Sequence, residues 1–163
     1  MAKWVSIGPT NFAGRVNVLA PHPTMIDTLL AGTDGGGIWK TTDGGVSWMP
    51  LTDDLPVVCV SALAFAPSEP LLVYAGTGQS GSPNGALPGI GVIQSRDGGQ
   101  TWVIPGAVLA QASGKSHPGF KKAMAVGKSC RSISVDPTDA SHLVIGTDQS
   151  AYFSKDTATS SSK

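Results

Sequence analysis

The stretch "TTDGGVSW" at residues 41–48 returns as "SRDGGQTW" at residues 95–102. Both copies share one pattern: Ser or Thr, any residue, Asp, any residue, Gly, any residue, Ser or Thr, and Trp. The first copy contains no residue that would give its aspartate a catalytic partner. An octapeptide that recurs along a chain indicates a repeat architecture before it indicates an active site.

A longer repeat surrounds the octapeptide. Three eleven-residue segments align without gaps, and each begins with Pro and ends with Gly-Thr; they occupy residues 23–33, 67–77 and 137–147. Pro23 and Pro67 are 44 residues apart, and the same 44 residues separate Trp4 from Trp48. A constant period in the low forties is typical of one four-stranded blade of a β-propeller.

The composition agrees with this repeat. The 163 residues suit one domain, and Val, Thr, Ile and Trp recur in short runs separated by many of the 21 Gly and 12 Pro. Glu69 is the only glutamate, and strong helix formers are scarce. We therefore predict an all-β fold built from antiparallel propeller blades. The formal net charge of +0 gives no electrostatic reason to expect nucleic acid or an anionic membrane as partner.

The sequence predicts neither a metal site nor a cofactor. Cys59 and Cys130 are too few for a disulfide scaffold and lie in apolar runs, so we expect buried thiols. No apolar run approaches the roughly 20 residues of a membrane span, and the N-terminus has no signal-peptide pattern. A surface that is low in charge and rich in Ser, Thr and Gly favours an extracellular location without fixing the compartment.

The aspartate of each octapeptide is interpreted as a turn residue. Its carboxylate can accept backbone N–H groups of its own turn, while the glycine two residues later can adopt a positive φ. The residues predicted to build these turns, including a partial third copy, are Thr41, Asp43, Gly45, Ser47, Trp48, Ser95, Asp97, Gly99, Thr101, Trp102, Ser154 and Asp156.

These octapeptides resemble the Asp-box, or BNR, repeats of sialidases, xyloglucanases and sortilin-like propellers. The resemblance covers nearly the whole chain, and in those families the box is a structural turn remote from the ligand face. The third copy departs from the pattern, because Ala158 stands at the Gly position and Ser161 at the Trp position. The resemblance implies a blade fold and leaves the function open.

The expected organisation is a single propeller module over residues 1–163 with about three blades. Its parts are the outer strand of a closing blade (1–9), blade 1 (10–53), blade 2 (54–106), an insertion (106–129) and blade 3 without its outer strand (130–163). Propellers typically have 4–8 blades, so two explanations stay open. The chain is a piece of a longer propeller, or copies assemble so that residues 3–9, from Lys3 to Pro9, complete blade 3 of another copy.

Two long insertions, residues 78–91 and 106–129, fall on the same face of the predicted blades. Loops that a rigid scaffold presents commonly carry function, so we expect a glycan or a protein surface to bind there. The binding candidates on this face are Asn11, Arg15, Asn84, His117, Lys121, Lys122 and Arg131.

A glycoside hydrolase is the alternative function. The resemblance to xyloglucanases makes Asp34 and Asp148 catalytic candidates, since each follows the Gly-Thr that ends a predicted strand, although a structural turn also explains Asp34. Such hydrolysis needs two carboxylates about 5–5.5 Å or 6.5–9.5 Å apart. A sialidase is disfavoured, because Arg96 lies inside an Asp-box and leaves few arginines to bind a carboxylate. The sequence therefore favours a binding or architectural module over an enzyme.

Overall fold

The computed structural model describes residues 5–8, 15–55, 59–79, 89–104, 129–148 and 151–154. In these residues the chain forms ten strands in three antiparallel sheets and no helix. The all-β prediction is confirmed. Since the described residues form no helix, this part of the chain contains no helix that is long and apolar enough to cross a membrane.

The first sheet has four strands in sequence order. They are β1 (Val16–Pro21), β2 (Leu29–Thr33), β3 (Ile38–Thr41) and β4 (Met49–Pro50). Short turns join neighbouring strands, and β4 is reduced to two residues that pair with β3. This sheet has the complete four-stranded meander that the sequence predicts for one blade.

The second and third sheets repeat the first three strands of this meander. Their strands are β5 (Val60–Ala66), β6 (Glu69–Thr77), β7 (Val92–Ser95), β8 (Cys130–Val135), β9 (Leu143–Thr147) and β10 (Ala151–Ser154). A single bridge from Gln94 to Val103 lies where β4 pairs in the first sheet. The fourth strand predicted for blade 2 is thus reduced to one bridge in the described residues. Blade 3 was predicted to lack an outer strand of its own, and the residues after Ser154 that bear on this prediction lie outside the described residues.

The three sheets share local irregularities as well as strand order. The register of β1, β5 and β8 shifts immediately after the first residue of each strand. At the same end of each strand pair, a backbone N–H just beyond the Gly-Thr donates to a carbonyl just before the innermost strand of the sheet, which is β1, β5 or β8. The donor and acceptor residues are Asp34 and Arg15, Gly78 and Cys59, and Asp148 and Ser129. The sheets are therefore three copies of one structural unit.

Apolar side chains fill the space between neighbouring sheets. Leu30 and Ile38 of the first sheet pack with Val60, Phe65 and other residues of the second in one buried cluster. A second cluster joins the second and third sheets. Burial of these side chains supplies the main favourable free energy that holds the sheets together.

The glycine that precedes the final threonine of each second strand permits close approach of the next sheet. A Cβ at Gly32 would lie 2.8 Å from Val60 Cγ1, and one at Gly76 would lie 2.6 Å from Cys130 Cβ. Cys59 and Cys130 are both buried and free, as predicted. The repeated Gly-Thr thus marks the place where the innermost strand of the following sheet docks.

Candidate functional site

The first Asp-box turn, around Asp43, is held by its own side chains. Thr41 Oγ1 accepts the Gly45 N–H at 2.9 Å and donates to Asp43 Oδ1 at 2.7 Å. The backbone N–H and the hydroxyl of Ser47 both donate to the Asp43 carboxylate, at 2.9 and 2.6 Å. The carboxylate is therefore engaged within its own turn.

The second Asp-box turn repeats this arrangement. Ser95 Oγ accepts the Gly99 N–H at 2.8 Å, and the N–H and hydroxyl of Thr101 donate to Asp97. Gly99 has a φ of 94°, the same value as Gly45 in the first turn, which a residue with a side chain adopts only under strain. This geometry is that of a structural turn. Ser154 ends β10, and Asp156 lies outside the described residues.

The two Asp-box tryptophans differ in their partners. Trp102 is buried between the first two sheets, and its Nε1 donates to the Gly99 carbonyl of its own turn at 2.9 Å. Trp48 Nε1 instead donates to the carbonyl of Ile7 at 2.9 Å. The N-terminal segment, residues 5–8, therefore lies against the first Asp-box turn.

The hydrogen bonds of Asp43 make the stability of the protein depend on pH. The side chain and backbone of Ser47, followed by Thr41, lower the pKa of Asp43 from 3.8 to about 2. Since the folded-state pKa is the lower one, the stabilisation is complete above about pH 4 and is lost as the pH falls towards 2. Asp43→Asn is expected to flatten this part of the pH profile, measured as the urea midpoint at several pH values. Identical profiles for variant and wild type would contradict this role of Asp43.

A polar cavity of about 180 Å³ lies at the opposite end of the strands, where the innermost strands begin. Its lining comes from all three sheets, and the lining residues are Arg15, Asn17, Ser61, Gln79 and Arg131. Asn17, Ser61 and Arg131 occupy the same position, the second residue, of β1, β5 and β8. The repeat therefore directs one side chain from each sheet towards this cavity.

Asp34 anchors the wall of the cavity. Its Oδ2 accepts from Gln79 Nε2 at 2.6 Å and from Arg15 Nη2 at 3.2 Å, and its Oδ1 accepts from Cys59 Sγ at 2.9 Å. Arg15 Nε also donates to Asn17 Oδ1 at 3.1 Å. Burial and the neighbouring Asp34 raise the pKa of the Cys59 thiol to about 12, so the thiol stays protonated and continues to donate. Asp34 thereby fixes the orientation of two side chains that line the cavity.

The structure brings together some of the residues that the sequence singled out. Arg15, Asp34 and Arg131 meet at the cavity or its wall. The carboxylate of Asp148 is not joined to Asp34 by any contact within the described residues, and the backbone N–H of Asp148 donates to Ser129. The candidates outside the described residues are Asn11, Asn84, His117, Lys121 and Lys122. Most of the two insertions lies outside as well.

Sequence reasoning missed Asn17, Ser61 and Gln79. Asn17 and Ser61 are 44 residues apart, so a comparison of the repeats position by position would have placed both beside Arg131. In such a comparison, the second residue of each innermost strand is polar, although apolar residues make up much of the strand. Gln79 follows the Gly-Thr of β6 and carries no comparable signal.

Comparison with known proteins gives the fold. No protein family and no curated protein matches the chain. Among solved structures, an ancestral GH74 enzyme is 19% identical with a TM-score of 0.60, covering 86% of this chain and 17% of its own. The GH74 enzyme of Niastella koreensis is 19% identical with a TM-score of 0.59, covering 86% and 21%. The GH74 xyloglucanase from Xanthomonas campestris is 17% identical with a TM-score of 0.60, covering 93% and 22%.

The class of protein follows from these observations. The three sheets, their shared meander and their packing through innermost strands are those of part of a β-propeller. The chain spans about a fifth of the length of the GH74 enzymes that it resembles. At this level of identity the similarity establishes the fold alone.

Proposed function

We propose that this partial propeller is a binding module that holds an acidic group of a glycan or of a protein surface between Arg15 and Arg131. The observation that carries the proposal is the cavity itself. The same position of three innermost strands supplies polar side chains to it, and the acid in its wall, Asp34, is already engaged by three donors.

The charges around the cavity favour an anion. Two arginines line the cavity: Arg15 forms an ion pair with Asp34, and Arg131 has no ion pair within the described residues. A guanidinium presents planar, paired donors that match a carboxylate, and such charge-assisted bonds are among the stronger ones in proteins. An incoming carboxylate can therefore bind Arg131 without displacing the bond between Arg15 and Asp34.

The neutral groups of the cavity can contact atoms next to the acid. Asn17 Nδ2 donates to the Val60 carbonyl, and the Ser61 hydroxyl donates to the Cys130 carbonyl. The Ser61 oxygen can accept further bonds, and Asn17 Oδ1, which accepts from Arg15 Nε, has room for one more. A volume of about 180 Å³ is below the roughly 300 Å³ of small ligand pockets, so the cavity suits one functional group of a larger ligand.

The affinity of an acidic oligosaccharide tests this proposal. We expect oligogalacturonate to bind and its methyl ester, which lacks the charges, to bind at least about tenfold more weakly. Arg131→Gln should lower the affinity for oligogalacturonate by about ten- to a hundredfold, because a charge-assisted hydrogen bond is lost. A glutamate-rich peptide in the same calorimetric titration separates a protein ligand from a glycan.

Arg96→Gln is the matched control, because Arg96 lines a different cavity beside Glu69 and Leu71. This variant should bind oligogalacturonate and the acidic peptide as the wild type does. Equal affinity of the Arg131→Gln variant and the wild type for every acidic probe would contradict the proposal.

A glycoside hydrolase remains the second candidate, because Asp34 lies at the cavity wall. Its three donors hold it as an acceptor, so a second carboxylate would have to come from elsewhere on the loop face, and Asp148 is the candidate. Release of reducing ends from xyloglucan by the wild type, lost in both Asp34→Asn and Asp148→Asn, would favour the hydrolase. Absence of cleavage by the wild type, or activity retained in both variants, would exclude this mechanism.

A further inference from the structure

Within the chain, the first sheet packs against the second and the second packs against the third. These two contacts show which residues a sheet places against each of its neighbours. On one side, the second strand offers a glycine, and the first residue of the next innermost strand packs onto it. Val60 fills this place against Gly32, and Cys130 fills it against Gly76. Each contact therefore joins two different surfaces, one from each neighbouring sheet.

The third sheet offers the glycine surface again without an occupant among the described residues. Among the described residues, a Cβ at Gly146 would meet only the Ser132 side chain within 4 Å, and no side chain of another sheet. Val144 of the same strand is 46% exposed, whereas Tyr74 at the corresponding position of β6 is 3% exposed. We call the surface formed by Val144 and Gly146 the trailing face.

The first sheet offers the complementary surface. Val16 corresponds to Val60 and Cys130, which are fully buried, yet Val16 is exposed. Leu19 is 50% exposed, whereas Leu63 at the corresponding position of β5 is 7% exposed and packs near Gly32. We call the surface formed by Val16 and Leu19 the leading face.

The N-terminal segment, residues 5–8, supports the same arrangement. Gly99 of the second Asp-box turn packs against Leu51, which follows the outer strand of the preceding sheet. Gly45 of the first turn packs in the same way against Ile7, which precedes Leu51 by 44 residues. Ile7 therefore occupies the place of a residue that belongs to the outer edge of a preceding sheet, and the described residues contain no such sheet.

We infer that two copies of this chain bind each other head to tail, with the trailing face of each copy against the leading face of the other. The occupant is a second copy because the leading face has the apolar residues, strand geometry and bulge that fill this place at both internal contacts. With three sheets in the described residues of each copy, two copies give six, which is within the usual 4–8 blades. The contact joins different surfaces and closes after two copies, so it forms a ring rather than a filament.

In the ring, Ile7 lies beside Gly45 as Leu51 lies beside Gly99 at the contact between the first and second sheets. This inference does not depend on the ligand proposed above, because neither face includes a residue of the polar cavity.

Native mass measurement of the wild type and of two charge variants tests the ring. The wild type should have a mass of about 33 kDa, twice the 16.6 kDa of one chain. Leu19→Lys on the leading face and Val144→Lys on the trailing face should each halve the mass, because a lysine would be buried without a partner. A 1:1 mixture of the two variants should recover a dimer through the one intact contact.

Ile26→Lys is the control, since Ile26 is 93% exposed in a turn outside both faces, and this variant should remain dimeric. Circular dichroism of each variant verifies that the sheets are folded. A wild type of single-chain mass at all concentrations would overturn the inference and assign the two faces to further blades of a longer propeller. A mixture of the two variants that stays monomeric would also overturn the inference, because in a head-to-tail contact the unchanged trailing face of one variant must bind the unchanged leading face of the other.

Discussion

Replacing Gly76 with alanine is expected to destabilise the protein by about 1–3 kcal/mol, the usual cost of overpacking a close contact. The new Cβ would lie 2.6 Å from Cys130 Cβ and also against Cys130 Sγ, and both atoms belong to the innermost strand of the third sheet. The sheets would have to separate by several tenths of an ångström, which would loosen the buried cluster between them. Urea unfolding of variant and wild type gives the difference directly.

The matched control for this prediction is Gly146→Ala in the monomeric Leu19→Lys background. Within the described part of the chain, the corresponding Cβ at Gly146 meets only the Ser132 side chain, whose close atom is the hydroxyl oxygen at 2.6 Å and can rotate away. Alanine also restricts the unfolded chain, so this variant should be neutral or more stable by up to about 1 kcal/mol. Equal destabilisation by Gly76→Ala and Gly146→Ala would contradict the inter-sheet contact as its cause.

Thr41→Val is expected to cost about 1–3 kcal/mol, because valine keeps the shape of threonine and leaves the Gly45 N–H without an acceptor. Thr41 is almost completely buried, and its Oγ1 receives the Gly45 N–H at 2.9 Å. The same change also removes the donor to Asp43 Oδ1. The free energy of unfolding measured in urea tests the size of this effect.

Thr41→Ser provides the control, since it retains the hydroxyl and removes only a methyl group. Thr41→Ser should lower the free energy of unfolding by about 1 kcal/mol, which is less than the loss expected for Thr41→Val. Ser95→Ala in the second Asp-box turn should behave like Thr41→Val, because Ser95 Oγ accepts the Gly99 N–H in the same way. A larger loss for Thr41→Ser than for Thr41→Val would mean that packing of the methyl group outweighs the hydrogen bonds.

The repeated motifs made much of the fold predictable, because each encodes a local structure. The Asp-box gives a turn whose carboxylate, hydroxyls and glycine interact within eight residues, so the sequence alone identifies the partners. The Gly-Thr landmarks end β2, β6 and β9 as expected. The period of 44 residues between landmarks predicts that the units resemble each other.

The partners that join distant parts of the chain could not be predicted in the same way. Trp48 and Trp102 occupy the same motif position, yet one donates to Ile7 and the other to its own turn. The difference arises because the preceding sheet packs Leu51 and Leu30 onto Gly99, whereas residues 5–8 take that place at Gly45. Sequence within the motif carries no information about which segment packs onto it.

The cavity was predicted only in part for a related reason. Arg15 and Arg131 were predicted as polar residues on the face that carries the two insertions, and Asp34 was predicted because it follows the Gly-Thr that ends a strand. Asn17 and Ser61 are polar residues of a kind that is common on exposed strands, so nothing in the sequence singled them out. Both residues lie at the register shift near the start of an innermost strand, and a shift of this kind changes the direction of a side chain in a way that the sequence does not reveal.

An isotope-filtered nuclear Overhauser measurement tests most directly whether one contact recurs between all neighbouring sheets. Equal amounts of labelled and unlabelled chain are mixed, and contacts within and between copies are recorded separately. We expect cross-peaks of Gly32 with Val60 and of Gly76 with Cys130 within one copy, and of Gly146 with Val16 only between copies. Assigned spectra that lack the two contacts within one copy, or the contact between copies, would contradict this recurrence.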